Sequence, residues 1–243
     1  MHKKLTFQIN GCLFKVYNHL KNIWAEKIYE EALETELTVQ GLQVKRQPEY
    51  DVFYFNQRVG HYRLDMLVED MVIVELKAVS EIQPIDKAQL ISYLKGYNKP
   101  LGILANFGGK SLYHDTFPNK FRQQTPLSDT FDFNQVQLKG KEEIKELLLI
   151  ANRILITLGP GYFHQIYRRA FYYELQQSQI PFQVIKEMTA VYQDKAIDSK
   201  EVSFFLIGDL LLSVVAVKEL NQLTLSRFAY HIKYLNCKEG IDF

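Results

Sequence analysis

The stretch Tyr62-Arg63-Leu64-Asp65-Met66-Leu67-Val68-Glu69-Asp70-Met71-Val72-Ile73-Val74-Glu75-Leu76-Lys77-Ala78 decides how the first half of the chain folds. Residues two apart in a strand share a face. Leu64, Met66, Val68, Val72, Val74 and Leu76 are apolar and even-numbered, while the odd positions hold Arg63, Asp65, Glu75 and Lys77, with Leu67 and Ile73 between them. An antiparallel hairpin would put the even set into a core and project Asp65, Glu75 and Lys77 from the opposite face. Directly opposed residues share a face, so Asp65 meets Glu75 only across a loop with an odd number of residues, such as Glu69-Asp70-Met71, or across a bulge. A plain two-residue turn would oppose Asp65 to Val74 and part the carboxylates. The odd loop or the bulge is therefore expected.

Two carboxylates a few ångströms apart disfavour each other's ionised form unless a cation lies between them. Mg²⁺ suits such a site, because it takes one or two carboxylates, keeps waters and accepts phosphate oxygens; Mn²⁺ is a possible substitute. Lys77 would stand over the same site and could orient an attacking water or stabilise transition-state charge. Hydrolysis of a phosphodiester is the reaction class these parts suit. The competing reading is ordinary: alternating strands often carry charges outward, and the Asp-x₉-Glu-x-Lys spacing also arises by chance. Helix residues add to the constellation. Glu26 and Tyr29 share one helix face, and Gln89 and Tyr93 another. Glu26 could give a third carboxylate, and Gln89 and Tyr93 could hold substrate or support Lys77. Tyrosines at such spacing also serve as core aromatics, and a lone helix glutamate is often merely solvated.

Working outward, helical spacing is expected over Ile9–Lys21 and Ala25–Gln40, with Gly41 as a C-terminal stop. Extended segments follow at roughly Glu49–Phe55, Gly60–Val68 and Met71–Ala78. Pro84 opens a helix to about Gly96, and Pro100–Asn106 reads as a short strand. Gly108–Ser128 reads as irregular connection with one short strand. This order indicates a mixed sheet covered by helices.

The 243 residues suffice for one large domain or two small ones, and 47% hydrophobic content with 23% charged content supports a real core. Apolar runs such as Phe204–Ile207 are too short to cross a bilayer, and Met1-His2-Lys3-Lys4 opens no continuous apolar stretch. Cys12 and Cys237 are the only cysteines. Two cysteines fit a reducing cytoplasm and give no zinc-ligand spacing. A soluble, cytoplasmic protein is expected. The net charge of +1 is no advertisement for nucleic acid, so a phosphate backbone would have to be met by a local patch or a bound cation.

An internal repeat is visible. Lys27-Ile28-Tyr29-Glu30-Glu31-Ala32-Leu33 lines up with Gln165-Ile166-Tyr167-Arg168-Arg169-Ala170-Phe171 at an offset of 138. The same offset carries Tyr54 onto Tyr192, Ala78-Val79 onto Ala216-Val217 and Gly102-Ile103 onto Gly240-Ile241. Around Leu42-Gln43-Val44 the better partner is Phe182-Gln183-Val184, a local slip of two residues. Duplication is the expectation, with the boundary near Phe131–Lys139. In the second copy the offset places His164 at Glu26, Ser203 at Asp65, Ser213 at Glu75 and Val215 at Lys77, and Arg227 and His231 replace Gln89 and Tyr93. Serine and valine cannot hold a hard cation, so the second copy should be catalytically dead and should act like the other subunit of a dimer.

Five separated motifs carry a resemblance. They are Glu26–Leu33, Tyr62–Asp65, Val74–Ala78, Ala88–Leu94 and Leu101–Gly108. In this order they resemble the small bacterial GxxExxY proteins, a family placed within the PD-(D/E)XK nuclease superfamily, over about Leu5–Leu112. The resemblance implies a Mg²⁺-dependent nuclease fold acting on nucleic acid, DNA rather than RNA. Asp65 and Glu75 would be metal ligands, Glu26 an accessory ligand, Lys77 the catalytic lysine, and Gln89 and Tyr93 the QxxxY element. Where the family motif has its glycine this chain has Ile23, whereas the second copy keeps Gly161. The expected fold is α/β, with two tandem restriction-endonuclease-like units, each a mixed central sheet flanked by helices. Residues 1–130 would carry the intact motif and 138–243 a degenerate pseudo-domain, the two forming an intramolecular pseudo-dimer. The alternative is a non-catalytic protein using this fold for binding or assembly, such as an accessory subunit of a mobile-element or defence system.

Overall fold

The computed structural model describes residues 2–120, 142–217 and 220–243. The expected boundary near Phe131–Lys139 lies outside them. The first half runs α1 (His2–Leu20), α2 (Glu26–Val39), β1 (Val44–Arg46), β2 (Glu49–Tyr54), β3 (Gln57–Arg63), β4 (Met66–Val68), β5 (Val72–Lys77), α3 (Pro84–Tyr97), β6 (Leu101–Asn106) and β7 (Tyr113–Pro118). The second half runs α4 (Glu142–Leu158), α5 (His164–Gln177), β8 (Gln183–Tyr192), β9 (Lys195–Ile207), β10 (Leu210–Ser213), α6 (Gln222–Tyr234) and β11 (Glu239–Asp242). No described helix is long and apolar enough to cross a membrane.

Two expectations change. The first helix begins at His2 rather than Ile9, because Leu5 and Ile9 extend the buried stripe through Leu13 and Val16. The strand expected over Gly60–Val68 is two strands, β3 and β4, interrupted at Leu64-Asp65. A matching interruption at Gln47-Pro48 separates β1 from β2. Proline has no N–H for a ladder, and Gln47 takes a positive φ of 49°. The two interruptions face each other, with Gln47 N–H donating to the Asp65 carbonyl at 2.9 Å and Leu64 N–H to the Pro48 carbonyl at 3.1 Å. The ribbon bends there, so β2 and β3 form a separate two-stranded sheet while β4 continues into the central one.

The central sheet has the order β1-β4-β5-β6-β7, with β5 and β6 parallel and the other pairs antiparallel. The even residues Met66, Val68, Val72, Val74 and Leu76 pack against Leu5, Ile9 and Leu13 of α1 and Tyr29, Leu33 and Leu37 of α2. The odd face is covered as well, because α3 packs on β5 and β6. A Cβ added at Gly102 would stand 2.7 Å from the Leu90 side chain, so the bare glycine lets α3 seat closely. Leu67, Ile73 and Glu75 are thereby buried.

Two compact units are distinguishable among the described residues. The first takes residues 2–53, 60–120 and 160–163, and the second takes 54–59, 142–159, 164–217 and 220–243. The second unit has a sheet of order β11-β10-β9-β8, with β10 and β11 parallel. The protein is thus α/β, with tandem units whose mixed sheets are flanked by helices.

The offset of 138 recurs in atomic detail. The Tyr29 hydroxyl donates to the Lys21 carbonyl at 2.9 Å, and the Tyr167 hydroxyl to the Gly159 carbonyl at 2.8 Å. Helix α2 closes with Gly41 N–H to Thr38 and Leu42 N–H to Leu37; α5 closes with Gln179 N–H to Gln176 and Ile180 N–H to Leu175. Both stops are left-handed, Gly41 at φ 76° and Gln179 at φ 54°. The tight seat of Leu90 on Gly102 is repeated by Phe228 and Ile232 on Gly240.

Pairing corrects the expected slip of two residues. Ile73 opposes Leu67, and Leu211 opposes Leu206. The next strand outward gives Lys45 opposite Leu67 and Gln183 opposite Leu206, so the offset there is 138. The one-residue change lies between β4 and β9, whose equivalent residues stand 139 apart.

Candidate functional site

The β4–β5 connection is the odd loop that the alternation demands. Met66 pairs with Val74, Leu67 with Ile73 and Val68 with Val72, leaving Glu69-Asp70-Met71 between the strands. Glu69 and Asp70 both take φ 53°, and Met71 N–H closes the turn on the Val68 carbonyl at 3.0 Å. Met71 is the extra residue, and it sets the parity. Continued by one pair, this register puts Asp65 opposite Glu75. Asp65 lies at the ribbon's bend, and its Oδ2 accepts the Leu76 N–H at 2.6 Å, which ties the carboxylate to β5.

Glu75 is 2% exposed. Lys77 Nζ donates to its Oε1 at 2.7 Å, while Oε2 is buried and finds no hydrogen-bond partner among the described residues. A buried carboxylate oxygen left bare is costly. Burial, then repulsion from Asp65, pushes the Glu75 carboxyl up to about 8 despite Lys77. Asp65 is pushed up to about 6, first by burial, with the Leu76 N–H and Lys77 opposing and Glu26 and Glu30 adding to the rise. Burial would lower Lys77, but Glu75, Glu26 and Asp65 outweigh it and keep the ammonium charged.

Helix α2 brings two more carboxylates. Glu26 is its first residue, and burial raises its pKa although Lys77 and the nearby Ala78 N–H oppose. Glu30 follows one turn later. One oxygen from each of Glu26, Glu30 and Asp65 lies within 4.8 Å of the others, a set able to hold a cation. Glu30 was not singled out by the sequence reading; its spacing of four from Glu26 was the available signal. Its Oε2 also accepts Arg46 Nε at 3.3 Å and Gln47 Nε2 at 3.1 Å. The bare oxygen of Glu75 and this hard oxygen donor set both fit a divalent ion of the Mg²⁺ type.

Helix α3 is fixed at its start by Pro84 and a reciprocal capping box between Gln83 and Asp86. It carries Gln89 and Tyr93, joined by a 2.7 Å bond from Gln89 Nε2 to the Tyr93 hydroxyl. Burial, then the Glu75 charge, raises the Tyr93 hydroxyl, with Asp65 adding and Gln89 opposing. Tyr93 therefore belongs to the electrostatic surroundings of the carboxylates. Beyond Lys77 the chain is anchored by Asn106, whose side chain accepts Val79 N–H at 3.0 Å and donates to the Val79 carbonyl at 2.8 Å. A Cβ at Gly108 would meet the Val79 carbonyl at 2.5 Å, so only glycine lets β6 exit past Lys77. Tyr29, by contrast, is a core residue: it is stacked on Phe107 and takes the Trp24 N–H at 3.0 Å.

The second unit differs at each of these points. Its β9–β10 connection is the two-residue turn Gly208-Asp209, and Ser213 opposes Phe204. The residue standing where Asp65 stands is therefore Phe204 and not Ser203, because losing one turn residue shifts the parity. Phe204 packs on Phe228, with ring centroids 6.1 Å apart, and on His231 at 5.1 Å. His164 and Arg168 occupy the places of Glu26 and Glu30. Gly161 uses a φ of 108° that Ile23 does not share, so the loops before α2 and α5 take different paths.

The model of a PD-(D/E)XK nuclease superfamily family matches residues 3–116 and 141–241. No curated protein matches the chain. A solved structure titled "Crystal structure of SSO0001" is 16% identical over 56% of this chain and 60% of its own length, with a TM-score of 0.31. The chain thus spans less than two thirds of that structure. At that score the likeness carries no argument.

Proposed function

The chain belongs to the PD-(D/E)XK nuclease superfamily, and from that premise we propose that its first unit hydrolyses phosphodiester bonds of nucleic acid, DNA rather than RNA, with Mg²⁺ or, in its place, Mn²⁺. Members of the superfamily generally use divalent metals, and the acidic cluster of the first unit fits one. The observation that carries the reading is the bare, buried Oε2 of Glu75, with Lys77 bonded to its other oxygen; Glu75 lies outside the Glu26, Glu30 and Asp65 cluster but is repelled by Asp65 and Glu26. Asp65 and Glu75, with Glu26 as accessory and Glu30 joining them, would hold the ion. When bound, it lowers the pKa of a coordinated water and neutralises charge on the phosphoryl group. Lys77 orients the attacking water and meets the developing negative charge. Gln89 fixes the Tyr93 hydroxyl, which lines the substrate side of the site.

Within the superfamily we place the chain beside the GxxExxY proteins, on the motif residues given above. The second unit, with Phe204 and Ser213 at the carboxylate positions, is read as catalytically dead. The shared helix stop, tyrosine bond and glycine seat support an origin by duplication, with boundaries near 1–130 and 138–243 and the second unit as an intramolecular pseudo-dimer partner. The free Cys12 and Cys237 suit action in the cytoplasm. A second reading, a non-catalytic binding or assembly protein, draws on the net charge of only +1.

The test incubates the protein with linear and circular DNA, RNA and short oligonucleotides under Mg²⁺, Mn²⁺ or EDTA. Cleavage should require metal and vanish in Asp65→Ala and Lys77→Ala. Cleavage that persists unchanged in both variants would refute the site. No cleavage of any substrate, with no metal binding by calorimetry, would favour the binding protein.

A further inference from the structure

The same helix face has opposite charge in the two units. In the first, Glu30, Glu31 and Glu34 of α2 are all met by Arg46 of β1, through Nε at 3.3 Å, NH2 at 3.4 Å and NH1 at 3.3 Å. This arginine closes the groove between helix and strand. At the 138 offset the second unit has Arg168, Arg169 and Tyr172 on α5 and, by strand pairing, Val184 in place of Arg46. The clamp is gone. In its place is a pocket of about 1120 Å³ lined by Gln165, Arg168, Arg169, Tyr172, Lys186 and Ser203 among others.

We infer that this pocket of the second unit binds a single nucleic-acid strand, its phosphates on Arg168, Arg169 and Lys186 and a base on Tyr172. The inference takes its ligand class from the proposed function but needs none of its metal chemistry. Arg168 is held by its Nε on the Val214 carbonyl at 3.0 Å, and Arg169 by NH1 on the Val59 carbonyl at 3.2 Å. Each guanidinium is thus anchored by one nitrogen, and guanidinium forks match phosphate oxygens. Among the described residues no carboxylate comes within ion-pair distance of Arg168, Arg169 or Lys186, although the Asp242 charge acts on Arg168. Glu187 and Glu201 also line the pocket and are exposed. They temper the three cations and bias the site toward a strand threaded along the helix side. The volume exceeds what one phosphate needs. Tyr172 is 40% exposed and is held edge-on by Phe182 at 5.2 Å, which leaves an aromatic surface for a base.

The test measures anisotropy of a fluorescein-labelled 12-nucleotide single-stranded DNA with the full chain in EDTA. Arg169→Glu with Lys186→Glu, both exposed positions, should weaken binding at least about tenfold. They should also reduce the steepness of the salt dependence, each lost contact by about 0.7 in slope. Tyr172→Ala should cost about tenfold. Melting curves check that each variant folds, and Lys186→Ala alone, on an exposed strand, gives a milder loss if the double variant does not. No binding by the parent, or equal affinity and salt slope in the charge variants, overturns the pocket; indifference to Tyr172→Ala overturns the stacked base. Metal-dependent cleavage by a parent whose charge variants bind unchanged sinks the pocket alone. Loss of binding in those variants, with no substrate ever cut, sinks the catalytic reading alone.

Discussion

The two units share their helix pairs and helix stops, yet they treat their most deeply buried carboxylate in opposite ways. In the first, Glu75 is buried beside Asp65 with one oxygen unpartnered, and its pKa rises to about 8. In the second, the buried carboxylate is Glu174, which Arg153 and Tyr54 satisfy through hydrogen bonds to both oxygens. Burial alone would raise Glu174, but Arg153 and then Tyr54 outweigh it and hold the carboxyl low. Glu75 is thus held toward its protonated form with one oxygen bare, whereas Glu174 is paired at both oxygens; the less buried Asp242 of the second unit also keeps a bare Oδ1 and is raised by burial. At the position of Asp65 itself, a strand break and one turn residue separate the two units. β9 runs unbroken from Lys195 to Ile207, while its counterpart in the first unit is interrupted at Asp65.

That contrast can be broken most severely at the turn. Deleting Met71 would give the first unit the two-residue turn of the second and shift Asp65 out of register with Glu75. Cleavage should fall by about a thousandfold or more, as in Asp65→Ala. Phe204→Ala in the second unit should leave the cleavage rate within twofold, although it loosens the core. Initial rates on a labelled duplex decide it; a Met71 deletion that folds and cuts normally would end the argument from parity.

Stability against pH separates the units next. A carboxyl raised in the fold holds its proton more tightly folded than unfolded. Between its ordinary value of 4.5 and about 8, the folded chain therefore binds more protons, and stability falls as pH rises through that window. For metal-free protein the loss should be on the order of 5 kcal/mol across the window, and Glu75→Gln should remove most of it. Glu174 works the other way. Its pKa is lowered, so its contribution is present above 4.5 and fades as pH falls below that value. Urea unfolding at stepped pH, in the parent and in each Gln variant, would show the two opposite slopes or refute them.

A smaller effect is expected at Arg153, whose side chain is 46% exposed. Arg153→Ala leaves Glu174 buried with Tyr54 as its remaining partner, and should cost about 2 kcal/mol, below the value for a fully buried pair. The smallest effect probes what the units share. Tyr29→Phe removes the bond to the Lys21 carbonyl and the bond from the Trp24 N–H, and Tyr167→Phe removes the bond to the Gly159 carbonyl; each bond should contribute about 1 kcal/mol. A denaturant midpoint unchanged in either variant, at constant slope, would refute that contribution.

Much of the first unit was legible in order because its chemistry is local. Alternation placed the even residues in the core and required an odd loop, and Pro84 and Gly41 marked helix ends where they lie. The break at Leu64-Asp65 was not legible, since Pro48, which faces it, belongs to a different strand. Glu30 was missed for a similar reason: its pairing with Asp65 depends on how α2 crosses the sheet. In the second unit the offset pointed to Ser203, and strand pairing pointed to Phe204.

By itself the sequence determined the period of each strand, the parity of the β4–β5 loop and the repeat at 138 residues, because these depend on spacing along one chain. Only the tertiary structure decided that Glu75 keeps a bare, buried oxygen under α3, that Arg46 closes one groove while its counterpart stands open, and that Phe204 stands opposite Ser213. Those outcomes depend on which desolvated groups from distant segments meet, and burial leaves each such group either paired or without a partner.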